Sequence, residues 1–174
     1  FSDSAGNDGI EVTNTTNSSW VVFDKTPPSD FNTGNTISIG GNQLSNVWNS
    51  TNTGADIFVP IVDNDTTIIN GEIQIWGKVG TNPYEKVGDP FTILESDAGT
   101  NKSLNMIETQ VESITGFLEG DSIYFKTVKI DKAGNEKEGS ISNNKLFIDQ
   151  TPPSINYVSY KSDFTDTTLA TVGH

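Results

Sequence analysis

The fold is decided by the stretch at residues 122–135, which reads SIYFKTVKIDKAGN. Its first part, 122–130, alternates between two sets of side chains with a period of two, which predicts a β-strand. The remainder, 131–135, carries Gly134 and Asn135, two residue types that favour tight turns. The stretch therefore predicts a strand that ends in a hairpin.

The hairpin motif and a second motif beyond it both occur twice. DKAGN at 131–135 is matched by DSAGN at 3–7, and Thr-Pro-Pro at 151–153 is matched by Thr-Pro-Pro at 26–28. The two tripeptides start 125 positions apart (151 − 26), each behind an apolar run that ends in aspartate. Two motifs that recur in the same order at a fixed interval indicate a tandem array of one folded unit.

The interval between the motifs predicts the domain organisation. One complete repeat should span residues 26–150, a common size for a domain with a single core. Residues 1–25 should hold the last hairpin of a preceding repeat and its linker, and residues 151–174 a linker and the first strand of a following repeat. Such end segments have unpaired strand edges, so we also expect them to pair head to tail with neighbouring chains.

The charge balance excludes two classes of partner. The chain has 174 residues and a formal net charge of −13, and all ten basic residues are lysine. A protein of this charge lacks the basic patch that nucleic-acid binding needs, and an anionic membrane surface would repel it. No run of about 18 apolar residues occurs, so no membrane insertion is expected in this segment.

The supply of reactive side chains argues against catalysis. Cysteine is absent, and the single histidine is the last residue, His174. Disulfides, thiolate metal sites and a serine–histidine centre are therefore excluded. Carboxylates alone can support catalysis, as in glycosidases, but no spacing here suggests a carboxylate pair in a cleft. We expect the chain not to be an enzyme.

Apolar runs of strand length alternate with turn-rich stretches, at spacings typical of an all-β sandwich. Besides 122–130, strands are predicted at 36–39, 56–62, 72–79, around 91–94 and at 145–148. Pro60 lacks a backbone donor, so the strand at 56–62 should be an edge strand or bulged there. The alternation within 72–79 places Trp76 on the face opposite Ile73 and Ile75.

The period changes between residues 104 and 118. The apolar residues there have helical spacing: Leu104, Ile107, Val111, Ile114 and Leu118. This spacing predicts a short helix in the crossover that precedes the strand at 122–130.

A more specific pattern lies at the entry to that strand. Leu118 is followed by a turn and then by Tyr124, six residues on. This is the arrangement of a tyrosine corner, in which the phenol hydroxyl bonds back to the turn backbone and fixes the crossover between sheets. The alternative is an ordinary half-buried tyrosine on a strand.

These residues resemble a known group of proteins. DKAGN followed by an apolar strand and DQTPP, with LEGDSIYFKT before it, resembles the immunoglobulin-like and fibronectin-type-III-like tandem repeats of large bacterial surface or secreted proteins. The resemblance covers residues 26–150 and implies an immunoglobulin-like (fibronectin-III-like) β-sandwich. It also implies an extracellular location, on the bacterial cell surface or secreted, and neighbouring repeats as partners. Members commonly serve as stalks of adhesins and secreted enzymes, and some carry calcium at domain junctions.

Four aspartates are candidate ligands for such a calcium ion. In a sandwich with this strand order, the incoming linker, the loop after the strand at 56–62 and the hairpin at 131–135 lie at one pole. Their carboxylates belong to Asp24, Asp63, Asp65 and Asp131. Clustered carboxylates repel unless a positive charge lies between them, and calcium accepts six to eight oxygens. The alternative is that these are turn residues, since aspartate caps its own backbone.

The sequence favours a mechanical role over a binding one. Pro27 and Pro28 fix φ and make the junction a short, stiff spacer. We therefore predict a non-catalytic structural repeat that acts as a spacer, stalk or fibre-building unit in adhesion. The alternative is a module that binds carbohydrate or a host surface, which needs a contiguous aromatic platform. Trp20, Trp48 and Trp76 could contribute to a platform or pack in the core.

Overall fold

The structure, a computed structural model, describes residues 4–8, 23–62 and 66–155. The predicted linker and strand of neighbouring repeats at 9–22 and 156–174 lie outside these residues. The described strands are β1 (Thr36–Ile39), β2 (Val47–Trp48), β3 (Gly54–Pro60), β4 (Glu72–Val79), β5 (Glu85–Thr92), β6 (Asn101–Ile107), β7 (Ser122–Ile130), β8 (Glu136–Ile141) and β9 (Leu146–Ile148). The helix α1 (Glu108–Glu112) follows β6, and 3-10 turns lie at Thr66–Ile68 and Glu95–Asp97.

The strands form two sheets, so the expected all-β sandwich is confirmed at this level. The smaller sheet has the order β1-β3-β6, and the larger has the order β2-β9-β7-β4-β5 with β8 also paired to β7. The pairs are antiparallel except β2–β9, which is parallel. The chain changes sheets between β1 and β2, where Gly40 and Gly41 have φ of 76° and 54°. A Cβ at Gly41 would lie 2.1 Å from the Thr51 carbonyl oxygen, so the close approach of these two segments requires glycine there.

The core lies between the inward faces of the two sheets. Side chains of one parity on each central strand are fully buried, including Ile57, Ile73, Ile75, Leu104, Ile123 and Phe125. Each such side chain contributes about 1.5–3 kcal/mol of hydrophobic free energy. Trp48 is fully buried as well, and its indole N–H donates to Glu112 Oε1 at 3.1 Å. Trp48 is therefore a core residue, whereas Trp20 lies outside the described residues.

Three predicted strands are confirmed at their predicted bounds: 36–39, 72–79 and 122–130. The strand expected around 91–94 is misplaced, since β5 covers Glu85–Thr92 and Ile93 follows it. Gly88, Asp89 and Pro90 resemble a turn in sequence but lie within β5, where the register shifts so that these three residues stand opposite Gln74 of β4. At this shift in register, the Gln74 side-chain amide donates hydrogen bonds to the carbonyls of Ile75 and Val87, at 2.9 and 3.2 Å.

The expectation of an edge or bulged strand at Pro60 holds at Pro60 itself but not for the strand as a whole. The predicted strand at 56–62 is β3, Gly54–Pro60, which is the middle strand of its sheet. Its pairing with β1 stops at Ile57, and the N–H groups that point toward β6 belong to odd-numbered residues such as Ile61. The nitrogen of Pro60, which carries no hydrogen, therefore faces the space beyond the end of β1. No hydrogen bond of the β1–β3 ladder is lost there.

The predicted helix exists but is shorter than its pattern. α1 has five residues, and Leu104 and Ile107 belong to β6 instead. Val111 and Ile114 are buried in the core. The apolar spacing therefore combined two residues from opposite faces of β6, buried Leu104 and exposed Ile107, with one helical turn.

The strand predicted at 145–148 is the end of a longer, interrupted strand. After the hairpin, β8 pairs with the second half of β7 and β9 with its beginning. Between them, Ser142 N–H donates to the Phe125 carbonyl at 2.8 Å, and Asn144 reaches across to the smaller sheet. The Asn144 side chain accepts from Thr36 N–H at 2.7 Å and donates to the Thr36 carbonyl at 2.6 Å, which closes the free edge of β1.

Candidate functional site

The hairpin at 131–135 is held by the carboxylate of Asp131. This side chain is 3% exposed, and its Oδ1 accepts the N–H groups of Ala133 and Asn135, both at 2.8 Å. Its Oδ2 accepts from the Asn135 side-chain amide at 2.8 Å. Gly134 has φ of 88°, and Gly6 in the matching motif at 3–7 has φ of 83°. Both copies of the motif thus use the same left-handed glycine.

The hydrogen bonds of Asp131 change the pKa of its carboxyl. Burial alone would raise the pKa of the Asp131 carboxyl. Donation from the Asn135 side chain and from the backbone of Asn135 and Ala133 more than offsets burial and holds that pKa below its ordinary value. The hydrogen bonds of the hairpin therefore favour the ionised form of Asp131.

Asn135 joins this hairpin to the incoming linker. Its Nδ2 donates to the Asp24 carbonyl at 3.2 Å and lies 3.5 Å from the Thr26 carbonyl. Asp24 in turn accepts the Thr26 N–H on Oδ1 at 3.0 Å. Pro28, two residues further on, is buried, while Pro27 is exposed. The linker is thus fixed to the domain on both sides of Thr26. Asn135, which contacts it, is more than 100 positions away in sequence.

A buried lysine lies near the same pole. Lys129 faces inward and is 2% exposed, although lysine is seldom fully buried. Its ammonium donates to the Pro60 carbonyl at 2.7 Å and lies 4.2 Å from the centre of the Phe31 ring. The alternation of β7 already placed Lys129 on the same face as Phe125, so the sequence contained the signal for its burial.

The chain leaves the domain at the opposite pole. Gln150 donates from its backbone to Glu119 Oε2 at 2.7 Å and from its side chain to Glu112 Oε1 at 2.6 Å. Asp149 N–H donates to the Trp48 carbonyl at 2.9 Å. Entry and exit lie at the two ends of β7, whose nine residues span about 30 Å.

The four candidate calcium ligands are only partly described. Asp63 and Asp65 lie outside the described residues. The carboxylates of Asp24 and Asp131 both accept N–H groups of their own turns, as the turn-residue alternative requires. Within 4–8, 23–62 and 66–155, no group of three or more histidine, cysteine, aspartate or glutamate side chains could hold a metal ion. Calcium at this junction stays a prediction.

The outward face of the larger sheet carries lysines and aromatic rings in alternation, which we call the lysine–aromatic face. It consists, in order across the surface, of Lys86, Trp76, Lys126, Tyr84, Lys78, Tyr124 and Lys145. Each ammonium lies 4.7–5.8 Å from the centre of the neighbouring ring, within the range of cation–π attraction. The placement of Trp76 on the face opposite Ile73 and Ile75 is confirmed, and that face is the outward one. The sequence did not reveal the set, because it depends on the register of three strands.

The placement of Tyr124 differs from the predicted tyrosine corner. Its ring lies on the lysine–aromatic face, with the ammonium groups of Lys78 and Lys145 at 5.3 and 5.6 Å. Leu118, the other half of the pattern, is 64% exposed. The turn before β7 is closed by its backbone instead, since Gly120 N–H donates to the Ile148 carbonyl at 2.9 Å. The parity of β7 explains this, because Ile123 and Phe125 take the inward positions.

Tyr84 is the least satisfied member of this face. Its hydroxyl is buried without a hydrogen-bond partner among the described residues. Burial, and then the nearby Glu138 and Tyr124, raise the pKa of the Tyr84 phenol above its ordinary value. Lys126, over the Tyr84 ring, forms an ion pair with Glu138 at 2.8 Å.

Comparison of the chain with protein-family models, with curated proteins and with solved structures gives no match in any of the three. Within the described part of the chain, no helix has both the length and the apolar character needed to cross a bilayer.

Proposed function

We propose that this chain is a non-catalytic structural repeat of an extracellular bacterial surface or secreted protein, acting as a stiff spacer, stalk or fibre-building unit in adhesion. The observation that carries the proposal is the placement of the two linkers at opposite ends of β7, each hydrogen-bonded to the body of the domain. A repeat that is entered at one pole and left at the other adds its full length to a tandem array.

The strand order supports an immunoglobulin-like type of sandwich. Lettered along the chain, β1, β3 and β6 become strands A, B and E, and β4, β7 and β8–β9 become strands C, F and G. Immunoglobulin-type sandwiches place A, B and E in one sheet and C, F and G in the other. β5 then lies beside C at the edge of the second sheet, as an added strand.

Stiffness at the entry joint would come from two sources. Pro27 and Pro28 fix φ, and the burial of Pro28 holds the second ring against the domain. The Asn135 amide adds hydrogen bonds that each contribute about 1 kcal/mol. A joint of this kind passes orientation from one repeat to the next.

We also propose calcium as a ligand of this joint. The oxygens would come from Asp24, Asp63, Asp65 and Asp131, and the Asp131 carboxylate also holds the hairpin. Calorimetric titration with calcium, against a chelated sample, tests the proposal; no heat and no change in melting temperature would contradict it.

The spacer proposal is tested by measuring the width of the distance distribution across the joint. Because the chain has no cysteine, cysteines introduced at Lys25 in the linker and at Ser140 in β8 can carry spin labels without background. We expect a narrow distribution between these exposed sites in pulsed electron paramagnetic resonance. Asn135→Ala should broaden it, whereas Asn143→Ala, at an exposed asparagine remote from the joint, should not. A broad distribution in the parent protein would contradict a stiff spacer.

A second candidate function is a module that binds carbohydrate or a host surface. One observation favours it: Trp76, Tyr84 and Tyr124 share one outward face of the larger sheet. Aromatic rings on a flat β face provide apolar area with polar edges, which suits sugar rings.

A further inference from the structure

The lysine–aromatic face is unusual for a chain of this charge. The whole chain has only ten basic residues against 23 acidic ones, yet four of those ten lie on this face. The carboxylate that pairs with one of them is Glu138, on Lys126. A charge distribution of this kind creates a local positive field on an otherwise acidic surface.

We infer that this face binds an extended acidic polysaccharide, one whose sugar units carry carboxylates. The inference rests on the second candidate function and names its ligand class. It is independent of the spacer function, which uses the poles of the domain rather than the face of the larger sheet.

The lysine ammonium groups that lie over the aromatic rings favour acidic over neutral sugars. Every ring on the face has at least one ammonium over it, so a neutral sugar would have to displace a lysine before it could stack. An acidic sugar instead meets the ammonium groups first, and its carboxylate pairs with them while the ring edges contact the sugar. Charge-assisted contacts of this kind are the stronger hydrogen bonds.

The positions of the accessible ammonium groups indicate an extended ligand. Lys86 and Lys145 are exposed, whereas the side chain of Lys126 is only 16% exposed and already paired. Lys86 lies on β5 and Lys145 immediately before β9, with β7 and β4 between those strands. Three inter-strand spacings separate them by about 14 Å. A single carboxylate cannot contact both, so the ligand must carry charges at intervals.

The charge of the remaining surface favours a thin polymer over a folded partner. A second copy of this chain would bring a further net charge of −13 against the acidic surface around the face. A single polysaccharide chain can place its carboxylates along the lysine row and leave the acidic surroundings in water. Repulsion between like charges therefore selects the narrow ligand.

The test is the affinity of the full chain for polygalacturonate, measured by calorimetry at low salt, with neutral dextran as the comparison polymer. We expect binding to polygalacturonate that weakens as salt is raised, and none to dextran. The double variant Lys86→Gln/Lys145→Gln should lose about tenfold in affinity or more. The matched double variant Lys25→Gln/Lys132→Gln removes the same charge from exposed sites off the face and should change affinity by less than about twofold.

The possible results distinguish a failure of this inference from a failure of the carbohydrate-binding or spacer function. Equal binding to dextran would overturn the acidic class and retain a carbohydrate-binding module. Equal losses in both double variants would overturn the assignment of this face. No binding to either polymer would overturn both the inference and the second candidate function, and leave the spacer untouched. Sedimentation of the protein alone tests whether a second copy of the chain binds this face instead. Self-association that Lys86→Gln/Lys145→Gln abolishes would assign the face to a second copy and overturn the inference of a polysaccharide ligand.

Discussion

Replacing Asp131 by asparagine should destabilise the domain through the hairpin that receives the linker. The substitution keeps the shape of the side chain but removes its charge. Asn Oδ1 can still accept the N–H groups of Ala133 and Asn135, now as neutral bonds. Its Nδ2 would face the Asn135 amide, so the 2.8 Å contact between Oδ2 and Nδ2 becomes a donor against a donor.

The expected loss follows from these three contacts. A hydrogen bond to a charged group contributes about 1.5–3 kcal/mol, and a neutral one about 1 kcal/mol. One bond is lost and two are weakened, so we expect the free energy of unfolding to fall by at least about 2.5 kcal/mol. Urea denaturation at pH 7 measures this. Asp89→Asn, at an exposed position in β5, is the control and should cost less than about 0.5 kcal/mol.

The same variant should also lose part of the dependence of stability on pH. The folded pKa of Asp131 lies below the ordinary value of about 3.9, so its contribution is fully present above that value. The contribution is lost as pH falls through the lowered folded pKa. Asp97, whose folded pKa is also lowered, adds a dependence of the same sign. Asp131→Asn should therefore show a shallower loss below pH 4 than the parent; an identical slope and an unchanged stability at pH 7 would refute the reasoning.

Two further changes test the core and the conformation of the hairpin. Gly77→Ala would place a Cβ 2.8 Å from Ile114 Cδ1, and we expect this overpacking to lower the free energy of unfolding by about 1–3 kcal/mol; an unchanged denaturation midpoint would contradict the packing. Gly134→Ala forces a side chain into a left-handed backbone with open space around it, so strain alone should cost about 1–2 kcal/mol, measured by thermal denaturation. Gly134→Asn, which tolerates that conformation, should recover most of the loss, and equal melting temperatures for the two variants would count against the strain argument.

Local patterns in the sequence predicted the elements that depend on local physics. The alternation in β4 and β7 set their bounds and the face of Trp76, because burial of one sheet face imposes a period of two. The hairpin was likewise predictable from Asp131 and Gly134, since the aspartate bonds its own turn. These features need no knowledge of distant residues.

The missed features depend on pairing between distant segments. β5 contains Gly88 and Pro90, which indicate a turn locally but are accommodated at the edge of the larger sheet. The lysine–aromatic face arises from the register that sets Trp76 opposite Lys126 on one side and Lys86 on the other. Nothing in the spacing of these residues along the chain indicates that three strands bring them together.

The most direct test of the account is the length that one repeat adds to the molecule. We would insert a second copy of residues 26–150 immediately after Gln150 and measure small-angle X-ray scattering of the chain with and without it. Because entry and exit lie at opposite ends of a strand about 30 Å long, the maximum dimension should rise by at least that amount, with the profile of a rigid rod. An increase of less than about 15 Å, half a strand length, or the profile of two freely moving bodies, would contradict a stiff end-to-end repeat.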